Sequence, residues 1–96
     1  MNNTESIFEY LIEMRKKYNL FSIERCAADV GVSSQTVRNF ENRVATNTEV
    51  MLYYLSKILW ETQHNEYSLA LTANINETEV IADRQNIIAL LMMSYK

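Results

Sequence analysis

Ser34, Gln35, Arg38, Asn39 and Asn42 fall at helical spacing on one side of a short segment whose other side is Val37 and Phe40. The outward side has three amides and one guanidinium, with no acid and no apolar residue. A helix face that meets only water is ordinarily rich in Glu and Lys, so this composition asks for another explanation. Amides and guanidinium groups are the side chains that meet a base edge through two hydrogen bonds. Gln35 or Asn39 can pair in this way with adenine and Arg38 with guanine, while Ser33 or Ser34 can reach a base or a phosphate. The plain alternative is a polar face in water.

Other chemistry finds little footing. Cys26 falls at an inward helical position, where cysteine acts as a small core hydrophobe rather than a reactive thiol. One Cys cannot close an internal disulfide, and one Cys with one His cannot supply the four ligands of a structural zinc. His64 stands alone in a polar stretch without the Ser, Cys or Asp arrangement that would make it a catalytic base. The sequence therefore points to no enzyme, no metal and no cofactor.

These residues sit in a chain of 96, close to the size of a single folding unit. With 48% apolar residues and ten aromatics it has material for a core, unlike a disordered chain. One Gly and no Pro remove the punctuation of tight hairpins and favour helices joined by short polar turns. The longest apolar run, 87–93, falls far below the roughly 20 residues that span a bilayer, so a cytoplasmic protein with no membrane contact is expected.

Hydrophobic spacing places the elements. Ile7, Leu11, Met14 and Tyr18 mark a helix over about 4–18, capped by Asn3 or Thr4. Ser22 caps a second helix with Ile23, Cys26, Ala27 and Val30 inward, and Gly31, the only glycine, follows at once in a position suited to a left-handed backbone. Ser33 caps the third, over about 34–42. Asn47 or Thr46 caps a fourth that buries Val50, Tyr54 and Ile58 and ends near Trp60. Residues 61–76 suit either a short strand, from the alternation of Tyr67, Leu69, Leu71 and Ala73, or a loop with one helical turn. A fifth helix, opened by Asn76 and Glu79 at capping-box spacing, runs to the C-terminus.

Charge is unevenly placed. The net charge of −3 argues against a general nucleic-acid binder, yet residues 14–43 hold Arg15, Lys16, Lys17, Arg25, Arg38 and Arg43 against Glu24, Asp29 and Glu41. All the surplus positive charge lies in that stretch. Arg15, Lys16 and Lys17 suit the negative end of the first helix dipole as well as they suit a phosphate.

Residues 22–41 read as helix, tight turn with a central Gly, and helix. Two short helices crossing steeply need a small residue at their approach, here Ala27, a Gly in the turn, and flanking apolar residues, here Cys26, Val30, Val32, Val37 and Phe40. This segment resembles the helix-turn-helix of the lambda-repressor-like, or XRE, family. The likeness continues through Phe40, Glu41, a polar loop, Asn47 and a fourth helix, and covers about residues 4–60. The chain departs from the family pattern in two places: Ile23 stands where Gln is common, and Asn42, Arg43 and Val44 stand where Gly and a basic residue often follow the Glu.

The resemblance implies that the helix from Ser33 to Asn42 lies in the major groove of double-stranded DNA. It implies base or backbone contacts from Ser33, Ser34, Gln35, Thr36, Arg38, Asn39 and Asn42, and phosphate contacts from Ser22, Arg43 and Asn47, with Lys16 and Lys17 farther out.

In the final helix the run 87–93 is apolar nearly all round, and Ile81, Ile88 and Tyr95 lie seven residues apart. It either packs within the monomer or meets a second copy through Ile81, Arg84, Ile87, Ile88, Leu91, Met92 and Tyr95. A homodimer is favoured, because a two-fold operator needs two reading helices ~34 Å apart; a Met-rich surface could also take a different protein. The expectation is an all-α, five-helix, lambda-repressor-like domain over 1–60 with a dimerising extension over 61–96, acting as a small cofactor-free transcriptional repressor of a phage or mobile element. The runner-up is a protein-binding inhibitor on the same fold, an antirepressor or an anti-CRISPR factor.

Overall fold

A computed structural model describes residues 3–94. Among them every regular element is an α-helix: α1 (Asn3–Tyr18), α2 (Ile23–Val30), α3 (Ser34–Glu41), α4 (Thr48–His64), α5 (Glu66–Ala73) and α6 (Glu77–Ser94). The all-α expectation holds, with six helices instead of five. The expected cap of α1 by Asn3 or Thr4 falls on side chains outside the described ones.

The sixth helix comes from residues 61–76, which are neither strand nor loop. α4 continues past Trp60 because Thr62 is turned inward and its hydroxyl donates to the Ile58 carbonyl at 2.7 Å, keeping a polar atom satisfied in the core. Asn65 then separates the two helices, its amide donating to Glu61 Oε1 at 2.7 Å. In α5, Leu69 and Ala70 are buried while Tyr67 and Leu71, one turn apart, point outward. Apolar residues thus occupy both sides of a two-turn helix, and their alternation imitates a strand.

Four helices end in the same way. Asn19, Gly31, Arg43 and Asn74 have φ of 50°, 87°, 61° and 58°, and the residue after each donates its N–H to the carbonyl five positions back. Those bonds are Leu20 to Arg15 (3.1 Å), Val32 to Ala27 (3.0 Å), Val44 to Asn39 (2.9 Å) and Ile75 to Ala70 (3.0 Å). This is the Schellman closure, which satisfies carbonyls that a helix end leaves open. Three of the four left-handed positions use Gly or Asn, the residues that tolerate them best; Arg43 is the exception.

One hydrophobic cluster runs through the molecule, from Ile7, Leu11 and Tyr18 of α1, through Cys26, Val37, Phe40, Val50, Tyr54 and Ile58, to Leu69, Val80 and Ile87. Phe21 stands edge-on to Tyr53 and Tyr54, with both centroid distances 4.9 Å, and Phe8 stands edge-on to Phe40 at 5.8 Å. The cluster crosses residue 60 without a break, since α6 packs on α1, α4 and α5. Asp83, buried in α6, accepts from Tyr18 (2.5 Å), Lys17 (2.8 Å) and Tyr10 (3.0 Å). Burial, and then Asp83, hold the Tyr18 hydroxyl far above its ordinary pKa. Lys17, expected farther out from the α3 face as a phosphate contact, is thus committed to Asp83 and Glu79 of α6.

Packing also sorts the residues expected to meet a second copy. Ile87 is 2% exposed and belongs to the monomer core, so it is withdrawn from any surface. Arg84, Ile88 and Leu91 are half-buried, and Ile81 and Met92 are exposed. Tyr95 lies outside the described residues.

Candidate nucleic-acid interface

The helix pair α2–α3 is built by short-range rules. Ser22 caps α2, its Oγ accepting the Arg25 N–H at 3.0 Å, and the chain leaves α2 through the left-handed Gly31. A Cβ at Gly31 would meet nothing within 4 Å, so glycine is required by the backbone conformation and not by crowding. Ser33 caps α3, its Oγ accepting the Thr36 N–H at 3.1 Å and sharing a 3.0 Å hydrogen bond with the Thr36 hydroxyl. Asn47 caps α4, its Oδ1 accepting the Val50 N–H at 3.0 Å. Ser22, Ser33 and Asn47 therefore each spend a side-chain oxygen on a helix start.

α3 packs chiefly on α2 and buries Val37 and Phe40, which turns the opposite side outward. On it Gln35, Arg38 and Asn42 are exposed, and Ser34, Thr36 and Asn39 are half-buried. Gln35 Nε2 donates to Asn39 Oδ1 at 2.9 Å, so the two amides are oriented as a pair. The structure brings Ser34, Gln35, Arg38, Asn39 and Asn42 together on one face. Ser22 and Asn47 lie at the starts of the two helices that flank it.

The surrounding charges are largely paired. Arg38 Nη2 donates to Glu24 Oε2 of α2 at 2.8 Å. Arg25 Nε donates to Asp29 Oδ2 at 3.0 Å, and the Tyr53 hydroxyl donates to the same oxygen at 2.6 Å. Tyr53 and then Arg25 hold the Asp29 carboxyl below its ordinary range. Arg43, left-handed at the end of α3, lays its guanidinium over the Phe8 ring, 5.2 Å from the centroid. Lys16 is exposed.

Behind α3 lies a half-buried ion pair that fixes it to α1 and α4. Arg15 is bidentate on Glu41, through Nε to Oε2 and through Nη2 to Oε1 at 3.0 Å; it also donates to the Phe21 carbonyl at 3.1 Å. The Tyr54 hydroxyl donates to Glu41 Oε2 at 2.5 Å. Burial alone would raise the Glu41 pKa, but Arg15 and Tyr54 outweigh it and hold the carboxyl below the usual range. Burial pushes the Cys26 thiol up to about 11, which keeps it protonated at neutral pH.

Sequence reasoning missed Glu24, because the partner of Arg38 is fourteen residues away on a different helix. It also missed the Arg15 pairing with Glu41, for which Glu41 at an inward-adjacent position of α3 was the available signal. Away from this face, an open cleft of about 400 Å³ between α1 and α6 is lined by Glu9, Tyr10, Glu13, Asn86, Ala89 and Leu90. Among the described residues no group of three His, Cys, Asp or Glu could hold a metal, and no helix is long and apolar enough to cross a membrane. No protein-family model, curated protein or solved structure matches the chain.

Proposed function

We propose that the chain is a sequence-specific DNA-binding regulator, a repressor that lays α3 in the major groove of double-stranded DNA. The observation that carries this reading is the outward face of α3, where an oriented Gln35–Asn39 pair, Arg38 and Asn42 stand on a short helix entered from α2 through a left-handed Gly31. Side chains of these types discriminate bases by paired donors and acceptors. Helix starts at Ser22 and Asn47 offer backbone N–H groups to phosphates on either side. Repression needs no cofactor, since a protein seated across a promoter excludes polymerase.

The protein acts as a homodimer in this reading, with exposed Ile81 and Met92 of α6 meeting a second copy about a two-fold axis. Sedimentation of wild type against an Ile81→Glu/Met92→Glu variant checks it: the variant is expected to be monomeric and folded.

The test of DNA reading is binding to the duplex immediately upstream of the gene at two salt concentrations, with Gln35→Ala/Arg38→Ala as control. The expected result is tight binding that weakens steeply with salt and is lost in the double variant. Binding no tighter than to unrelated DNA would overturn it. One observation favours the second reading, a protein-binding inhibitor: Glu24 and Asp29 offset the charges of Arg38 and Arg25 on the same surface. Such a protein would instead form a salt-tolerant complex with a protein target.

A further inference from the structure

Glu24 and Arg38 form the ion pair that joins the two helices at their outer surface, with Nη2 to Oε2 at 2.8 Å. Their side chains keep 65% and 46% of their exposure, so the pair is not a core element; surface pairs of this kind add little to stability. Its effect falls on Arg38 itself. A free arginine on a helix surface sweeps a wide volume, whereas here one N–H of five is tied to the Glu24 carboxylate. The remaining donors on Nη1 and Nε stay available for an external acceptor.

The carboxylate also changes which acceptors suit that guanidinium. A phosphate brought to Arg38 carries a full negative charge into the neighbourhood of Glu24 and is repelled by it. The major-groove edge of guanine presents N7 and O6, two neutral acceptors that suffer no such repulsion. On that ground, and resting on the DNA-reading function proposed above, we infer that Glu24 is a positioning and specificity-determining residue, which holds Arg38 for a guanine edge and keeps it off the phosphate backbone. Arg38 makes the contact and Glu24 decides where it is made. The pair reduces sequence-independent attraction at the same time as it orients the reading group, which suits a protein of net charge −3 that must find one site among many.

The test compares wild type, Glu24→Gln, Asp29→Asn and Arg38→Ala on two labelled duplexes. One is selected from a random-sequence library by the wild-type protein, and the other is drawn unselected from the same library. Glu24→Gln keeps the shape and an acceptor oxygen but removes the charge, and at an exposed position it leaves the thermal midpoint unchanged. It is expected to bind the unselected duplex more tightly, to add about one to the slope of log K against log salt, and to lower the selected-to-unselected ratio roughly tenfold. Asp29→Asn removes the same charge from the same helix; it should strengthen both affinities together and leave the ratio in place.

An unchanged ratio and slope in Glu24→Gln, while Arg38→Ala still loses the selected duplex, would overturn the role of Glu24 and leave DNA reading intact. An equal fall in the ratio for Asp29→Asn would reduce the effect to net charge and overturn it too. If the wild-type protein enriches no sequence from the library, the DNA-reading function fails and this inference fails with it.

Discussion

Arg43 holds a backbone conformation, φ 61°, that costs a side-chain-bearing residue roughly 1 kcal/mol. Its guanidinium over Phe8 offsets part of that strain. A glycine at the same place would remove the strain and the charge together. Arg43→Gly is therefore expected to raise the denaturation midpoint slightly, by up to about 1 kcal/mol of stability, while weakening DNA binding and lowering its salt slope. Equilibrium unfolding in urea alongside binding at two salt concentrations checks both halves, and a variant that gains stability without losing affinity would free Arg43 from any phosphate role. Gly31 makes the complementary case. With open space around its Cβ position, Gly31→Ala pays only for φ 87° and should destabilise by about 1–2 kcal/mol, and Gly31→Asn by less. Equal losses for Ala and Asn would mean that something other than backbone handedness selects glycine there.

At the scale of elements, what the sequence disclosed depends on how local the rule is. Ser22, Ser33 and Asn47 each cap the helix expected of them, because a cap needs only a side-chain oxygen and an N–H three residues on. Gly31 marked the α2–α3 turn for the same reason. α5 was illegible because Tyr67 and Leu71 face outward while Leu69 and Ala70 face inward, so no single apolar stripe betrays the helix. α4 overran its expected end because Thr62 reads as polar and behaves as a core residue once its hydroxyl is returned to Ile58. The candidate face on α3 was visible as a list of side chains, but the coupling of Arg38 to Glu24 and of Arg15 to Glu41 was not, since both join residues on different helices.

The Arg15–Glu41 pair also sets how α3 responds to acid. Glu41 has a folded-state pKa below its unfolded value, so its stabilisation is complete above the unfolded pKa of about 4.3 and is lost as pH falls through the folded one. Glu41→Gln leaves the half-buried Arg15 without its counter-charge and should cost about 1–3 kcal/mol at neutral pH. Measured by urea unfolding, the gap between wild type and variant is expected to be widest near pH 7 and to narrow between pH 5 and 3. A gap that does not change with pH would show that the carboxylate charge contributes nothing, and that shape alone anchors α3.

For the whole molecule the question is whether the first sixty residues can stand without the rest. The expected helix-turn-helix domain would end there, which invites treating the remainder as an appendage. Packing argues otherwise. Val80 and Ile87 of α6 and Leu69 of α5 are in the same buried cluster as Leu11 and Ile58, and Asp83 is the acceptor for the buried Tyr18 hydroxyl and for Lys17. Removing 61–96 would expose the apolar side of α1 and strand Tyr18 without its partner, and losses of single buried aliphatic side chains of this size already cost about 2–5 kcal/mol each. A domain of this length holds only about 5–15 kcal/mol in total. A fragment of residues 1–60 is accordingly expected to show no cooperative thermal transition by circular dichroism and no DNA binding, whereas the full chain melts in one step. A fragment that melts cooperatively would return α5 and α6 to the status of an added module, and the outward apolar residues Ile81 and Met92 would then be the first place to look for what that module does.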